Sequence, residues 1–139
     1  MEQELISIVV PVYRAERYIE ETMDCVRAQT YPHWELLLVE DCGPDRSREI
    51  IEQYIQRTGD TRIRMLTYSA NLGAARACNL GVNEAKGRYL AYLDADDLWT
   101  PDKLEKELAF LKEKQAAFVF TGYEFADENG KGTGKIVRV

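Results

Sequence analysis

Residues 5–12 (LISIVVPV) form an almost unbroken apolar and β-branched run, the pattern of a strand buried on both faces. Such a strand needs helices above and below it. The chain supplies them, because strand-like apolar runs alternate along it with stretches of helical period. That alternation predicts the α/β class, a three-layer αβα sandwich around a mostly parallel sheet. With 139 residues, 45% of them hydrophobic, the chain can bury a sizeable core as one domain spanning residues 1–139.

The elements follow from local patterning. Pro11 has no N–H to donate, so the first strand should end near Tyr13. Tyr18, Ile19, Thr22, Met23 and Val26 fall on one face of a helix expected over 15–29. Residues 34–40 (WELLLVE) read as the second strand, followed by a Gly43-Pro44 turn and a helix whose apolar face is Ile50, Ile51, Tyr54 and Ile55. Asp45 or Ser47 can cap that helix. Residues 62–68 (RIRMLTY) interleave arginine with apolar side chains, which suits a sheet edge. A small-residue helix over 73–85 and a central strand over 88–94 (RYLAYLD) come next. Thr100-Pro101 then opens a helix, Thr as cap and Pro in the first position, with Leu104, Leu108 and Leu111 facing the core. A strand over 117–125, a turn at 127–130 and the start of another strand at 135–139 finish the pattern, so the chain reads as the front part of a larger protein.

Charge and cysteine usage narrow the function. Eighteen Lys and Arg against 24 Asp and Glu give a net charge of −6, which argues against nucleic acid as a partner. Three cysteines, Cys25, Cys42 and Cys78, show neither C-x-x-C spacing nor paired histidines, so a disulfide framework and a zinc site are both disfavoured and a reducing, cytoplasmic setting is expected. The longest apolar run, residues 8–13, is six residues and the start lacks the features of a secretion signal, so neither a membrane span nor export is predicted. The chain contains no G-x-G-x-x-G after its first strand and no Walker A motif. His33, the only histidine, precedes the second strand and reads as a surface residue.

Chemistry concentrates at Asp94-Ala95-Asp96-Asp97, three carboxylates directly after a hydrophobic strand. At ~4 Å and an effective dielectric of ~20, each like-charge pair repels by about 4 kcal/mol. The cluster therefore calls for a cation or for side chains extended into water. Hard oxygen donors suit Mg²⁺ or Mn²⁺, which use one or two carboxylates together with phosphate oxygens of a ligand, here a diphosphate. A calcium loop starting at Asp94 fails because Trp99 stands where glycine is required. Capping of the next turn is the purely structural role open to Asp97. In an open α/β sheet the carboxyl ends of the strands face the ligand crevice, so Asp41, after the second strand, shares a rim with Asp94 and Asp96. A carboxylate there can accept from the imide N–H of uracil, and Tyr13 can stack on the base. Arg14 or Arg17 can assist with phosphate charge.

Taken together, SIVVPVYRAERYIEET, QTYPHWELLLVEDCGPDRS, NLGAARACNLGVNEAKGRYLAYLDADDLWTPDKL and TGYEFADENG resemble the family 2 glycosyltransferases, in order and spacing, over essentially the whole chain. The resemblance implies the amino-terminal, nucleotide-sugar-binding part of a GT-A fold. It further implies inverting transfer of a sugar from a nucleoside diphosphate, usually UDP, with a divalent metal on the diphosphate. The acceptor would be a saccharide or lipid-linked molecule of envelope or exopolysaccharide synthesis, and the setting cytoplasmic or peripheral to the inner membrane face. Position by position, Pro11 and Tyr13 match the base-contacting P-V-Y segment and Asp41 the residue that hydrogen-bonds the base. Asp94 and Asp96 match the D-x-D, with Asp96 the closer metal ligand and Asp94 nearer the ribose or the metal's waters. Glu40 replaces the usual Asp, Gly43-Pro44 the usual Ser-Thr, and Cys78 the usual Arg. Arg76, two positions earlier, lies about 200° round a helix and is no simple substitute. The family's catalytic base falls beyond residue 139. A non-catalytic nucleotide-binding module, or an incomplete domain that forms a homodimer through its unfinished sheet, is the alternative.

Overall fold

The computed structural model describes residues 4–40, 45–67, 74–95, 97–114, 123–126 and 132–137. The apolar runs become strands β1 (Ile6–Val12), β2 (Trp34–Glu40), β3 (Ile63–Thr67) and β4 (Tyr89–Tyr92), all parallel, in the order β3-β2-β1-β4. Helices α1 (Ile19–Arg27), α2 (Ser47–Thr58), α3 (Ala74–Glu84) and α4 (Lys103–Lys114) connect or follow them. Strands β5 (Tyr123–Ala126) and β6 (Gly132–Val137) pair with each other in an antiparallel hairpin.

Strand alternation splits the core in two. Ile6, Ile8, Val10 and Val12 of β1 join Leu36 and Leu38 of β2 in packing against Ile19, Met23 and Val26 of α1, Ile51 and Tyr54 of α2, and Leu104 and Leu108 of α4. The opposite face presents Val9 and Val39 to Ala77 and Leu80 of α3. Helices on both faces of a parallel sheet make the three-layer α/β arrangement that a doubly buried β1 demands.

Several boundaries depart from the sequence reading. The first helix begins at Ile19, not at residue 15, because the preceding amides are used elsewhere. Ala15 N–H donates to Ser47 Oγ (2.9 Å) and Glu16 N–H to Asp45 Oδ2 (3.1 Å). Neither Asp45 nor Ser47 stands at the N-cap of α2, which is Arg46. Asp45 works one position earlier, its Oδ1 accepting from the amide (3.1 Å) and the hydroxyl (2.7 Å) of Ser47. Residues 100–102 likewise precede α4 as a turn, where Thr100 Oγ1 bonds Asp102 Oδ1 (3.1 Å) and leaves the helix amides to other acceptors.

The strand expected to be central has one described neighbour. Among the described residues β4 pairs with β1 alone, and its Leu90 and Tyr92 are exposed. Among the described residues β3 is flanked by β2 alone, the edge position that its interleaved arginines predict. Of the expected 117–125 strand, residues 123–126 are extended and 115–122 lie outside the described residues, as does the 127–130 turn. The last strand begins at Gly132, ahead of the expected residue 135.

Candidate functional site

The strand order reverses at β1. From β1 the chain steps to β2 and then β3 on one side, and returns by way of α3 to β4 on the other. At such a switch point the connections from adjacent strands diverge and open a crevice at their carboxyl ends. Here the crevice lies between the ends of β1 and β4, paired in register through Val9 and Tyr92. Tyr13 follows the last residue of β1, and Asp94 stands two positions beyond β4. The two sequence-predicted residues therefore each follow the carboxyl end of one of two neighbouring strands. Pro11, half-buried, sits inside the end of β1, and Tyr13, just beyond the strand, is exposed.

The next residue holds an unusual backbone. Arg14 has φ of +51°, the left-handed region, and its guanidinium carbon lies 5.3 Å from the centre of the Tyr13 ring. Beyond it, the bonds from Ala15 and Glu16 to Ser47 and Asp45 tie the β1–α1 connection to the start of α2. Burial pushes the Asp45 carboxyl up, but the Ser47 hydroxyl and the amides of Glu16 and Ser47 outweigh it and hold the group below the usual range. Asp45 therefore stays ionised as the anchor of both loops.

At the end of β2, Glu40 is buried and accepts both Nε (3.1 Å) and Nη2 (2.8 Å) of Arg48. Its extra methylene, relative to the Asp that usually stands there, is spent on this ion pair rather than on the open rim. Asp41, next in the chain, lies outside the described residues, as do Cys42 and the Gly43-Pro44 turn.

Asp94 is exposed and Ala95 buried, and the Asp97 amide donates back to the Asp94 carbonyl (3.0 Å) in a tight turn. Asp96 lies outside the described residues. Cys78 of α3 faces this corner. Burial and then the nearby Asp94 charge both raise its thiol above the usual range, so it stays protonated beside the acid turn. Arg76 is exposed on the same helix. Among the described residues no three acidic, histidine or cysteine side chains cluster to form a cage for a metal. The donor set still fits Mg²⁺ or Mn²⁺, which take one or two carboxylates and complete their shell with water and phosphate oxygens.

Two residues that the sequence reading passed over for the site reach the acid segment from α1 and its end. Thr22, fully buried, donates from Oγ1 to the Ala95 carbonyl (2.6 Å), with the carbonyls of Tyr18 (3.2 Å) and Asp97 (3.3 Å) also in reach. Gln29 donates from Nε2 to the Thr100 carbonyl (2.8 Å) and accepts the Leu104 amide at Oε1 (3.1 Å), supplying one of the acceptors that the first turn of α4 lacks. Thr22 belongs to the apolar stripe and reads there as core; a hydroxyl inside such a stripe is the one signal available. His33 is exposed in the loop that enters β2, at the far end of the strands from the crevice. No described helix is long and apolar enough to cross a membrane.

Known proteins resemble this chain in sequence and fold. TuaG of Bacillus subtilis, named as a teichuronic acid biosynthesis glycosyltransferase, is 44% identical over 96% of the chain and 52% of its own length. WfgD of Escherichia coli, a UDP-Glc:α-D-GlcNAc-diphosphoundecaprenol β-1,3-glucosyltransferase, is 36% identical over 93% of the chain and 49% of its own length. The chain thus spans about half the length of these relatives. Among solved structures, Staphylococcus aureus TarS 1-349 in complex with UDP superposes with a TM-score of 0.71 at 26% identity, covering 79% of this chain and 32% of that one. The mannosyltransferase PcManGT of Pyrobaculum calidifontis, solved with GDP-Man and Mn²⁺, shares the fold with a TM-score of 0.75 at 24% identity, over 87% of this chain and 34% of that one. The model of glycosyl transferase family 2 matches residues 7–137, and the chain belongs to that family.

Proposed function

We propose that these residues form the donor-binding part of a metal-dependent, inverting glycosyltransferase that takes a UDP-sugar and glycosylates a saccharide or lipid-linked acceptor in envelope polysaccharide synthesis on the cytoplasmic side. The observation that carries the reading is the switch-point crevice, which brings Tyr13 and Asp94 to neighbouring strand ends. Tyr13 offers an exposed ring on which the base stacks, and Asp41 accepts from the imide N–H. Asp96 would hold the metal, and Asp94 would serve the ribose or the metal's waters. A divalent cation bound there would offset the charge that develops on the departing diphosphate. The acceptor oxygen bonds to the anomeric carbon as the bond to the diphosphate oxygen breaks, the electron pair leaving with the diphosphate and the hydroxyl proton passing to a carboxylate base. No residue of this chain is assigned as that base. Two relationships support the reading: TarS has been solved with UDP and with UDP-GlcNAc, and WfgD is named for a UDP-Glc donor and a diphosphoundecaprenol-linked acceptor.

Calorimetric titration with UDP, with and without Mn²⁺, tests this directly. Binding should need Mn²⁺ and be lost in Asp96→Asn with the fold intact, while Asp41→Ala should erase the preference for UDP over other nucleoside diphosphates. A folded chain that binds no UDP, or Asp96→Asn with unaltered affinity, overturns the assignment.

A further inference from the structure

The acid turn is attached to the rest of the molecule in an uneven way. On its upstream side it continues β4, a strand of four residues paired with β1 alone among the described residues. On its downstream side it runs through residues 97–102 without regular structure before α4 begins. Fastening comes instead from α1 and the residues that end it. Thr22 holds the Ala95 carbonyl, Gln29 holds the Thr100 carbonyl and the Leu104 amide, and the Thr30 amide donates to the Pro101 carbonyl (2.7 Å). Three carbonyl oxygens, those of Tyr18, Ala95 and Asp97, converge on the single proton of Thr22 Oγ1. Two of them flank the position of Asp96, one on each side.

We infer that Thr22 is a positioning residue for the donor site: its buried hydroxyl holds the backbone at Ala95 and Asp97 and thereby fixes where the acid turn after β4 sits. This rests on the donor-site reading above. The Thr22 side chain touches no ligand and acts only through the turn. Without its proton, the Ala95 carbonyl loses its 2.6 Å donor in a buried place, while the Tyr18 carbonyl keeps the Thr22 amide (3.1 Å), so the turn must shift or admit water. A shift of about 1 Å in such a loop is enough to cost a site much of its function. Gln29, some 70 residues in sequence from Thr100 and Leu104, fixes the far end of the same segment, while Thr22 reaches the residues of the acid turn itself.

The test pairs Thr22→Val, which keeps shape and removes the hydroxyl, with Thr22→Ser, which keeps the hydroxyl. Hydrogen exchange of the ligand-free chain reads the turn. The Asp97 amide, bonded to Asp94 in the wild type, should exchange at least tenfold faster in Thr22→Val, the amides of β1 and β2 should not change, and Thr22→Ser should restore the slow rate. UDP affinity in the presence of Mn²⁺ should fall roughly tenfold in Thr22→Val and recover in Thr22→Ser. Thr22→Ala, which adds no methyl group beside the three carbonyls, is read in the same way should Thr22→Val fail to fold. Unchanged exchange at Asp97 overturns the inference, and so does a loosened turn with unaltered affinity, which leaves the donor site standing without it. A wild-type chain that binds no UDP with Mn²⁺ overturns the donor-site reading and the positioning role together.

Discussion

Arg14 is the only non-glycine residue among those described with a left-handed backbone, φ +51°. For an L residue with a Cβ that conformation costs about 1 kcal/mol, and strain of this kind collects at functional sites. Glycine would relieve it, while its greater freedom in the unfolded chain takes part of the gain back. Arg14→Gly is therefore expected to raise the melting temperature by one or two degrees in a thermal scan, and Arg14→Val to lower it by several, because a β-branched side chain is the least tolerant of that region. The same glycine variant removes the cation from the Tyr13 ring, so a loss of UDP affinity together with a gain in stability would mark Arg14 as a residue kept for the ligand at a cost in stability. At this scale the sequence is legible where a residue's chemistry is conspicuous: Tyr13 and Asp94 stand out as an aromatic and an acid directly after apolar strands, and both lie at the crevice. Thr22 does not stand out, because its partners are backbone carbonyls that no side-chain pattern records.

Elements meet at distances set by single positions. α3 lies against the sheet at Gly81, where an added Cβ would come within 2.5 Å of Val9 Cγ1 and 3.3 Å of Val39 Cγ2. Gly81→Ala is expected to push α3 off the sheet and destabilise the chain by about 1–3 kcal/mol, read as a lower urea midpoint with an unchanged slope. A second junction joins α1 to the turn before β3. Arg62, backed by its own amide and by Arg27, outweighs the effect of burial and lowers Asp60 to about 2. A carboxyl depressed in the folded state contributes stability above its unfolded pKa near 4 and loses it as pH falls toward 2. Asp60→Asn should therefore cost on the order of 1 kcal/mol at pH 7, after solvent screening, and almost nothing at pH 2. The strands β1 and β2 are legible because nearly every residue is apolar, which only a doubly covered strand permits. Residues 88–94 carry a similar pattern yet among the described residues pair with β1 alone, since an apolar strand announces that it will be covered and not by what. The start of α1 is hidden for a related reason: the amides of Ala15 and Glu16 find acceptors thirty residues away, at Ser47 and Asp45.

The molecule as a whole separates two tasks along the strand axis. At the amino ends of the strands, cross-ties close the fold: Ser7 Oγ donates to Glu35 Oε2 (2.5 Å), the Gly87 amide to Ser7 Oγ (2.8 Å) and the Lys86 amide to Glu35 Oε2 (2.6 Å). Gly87 has no room for a side chain there, because a Cβ would meet the Ser7 backbone nitrogen at 2.7 Å and the Leu5 carbonyl at 2.8 Å. Tyr31 donates its hydroxyl to the Glu4 carbonyl, and the Glu4 carboxylate pairs with Arg88 and Lys112. The carboxyl ends instead carry the exposed Tyr13 and Asp94. Strands of seven residues hold the two ends roughly 20 Å apart, beyond the distance over which exposed charges act on one another at physiological salt. Substitutions at the two ends should therefore be independent. Ser7→Ala strands the Gly87 amide and part of the Glu35 carboxylate, so it should cost about 1–2 kcal/mol of stability and leave the affinity for UDP with Mn²⁺ within twofold of wild type. Asp94→Asn removes a charge from a crowded acid turn and should leave the melting temperature unchanged or slightly raised, while weakening that affinity tenfold or more. The double variant should show both effects at full size. A stability loss in Asp94→Asn, or an affinity loss in Ser7→Ala, would mean that the sheet transmits strain from one end to the other and that the division of labour along the strands does not hold.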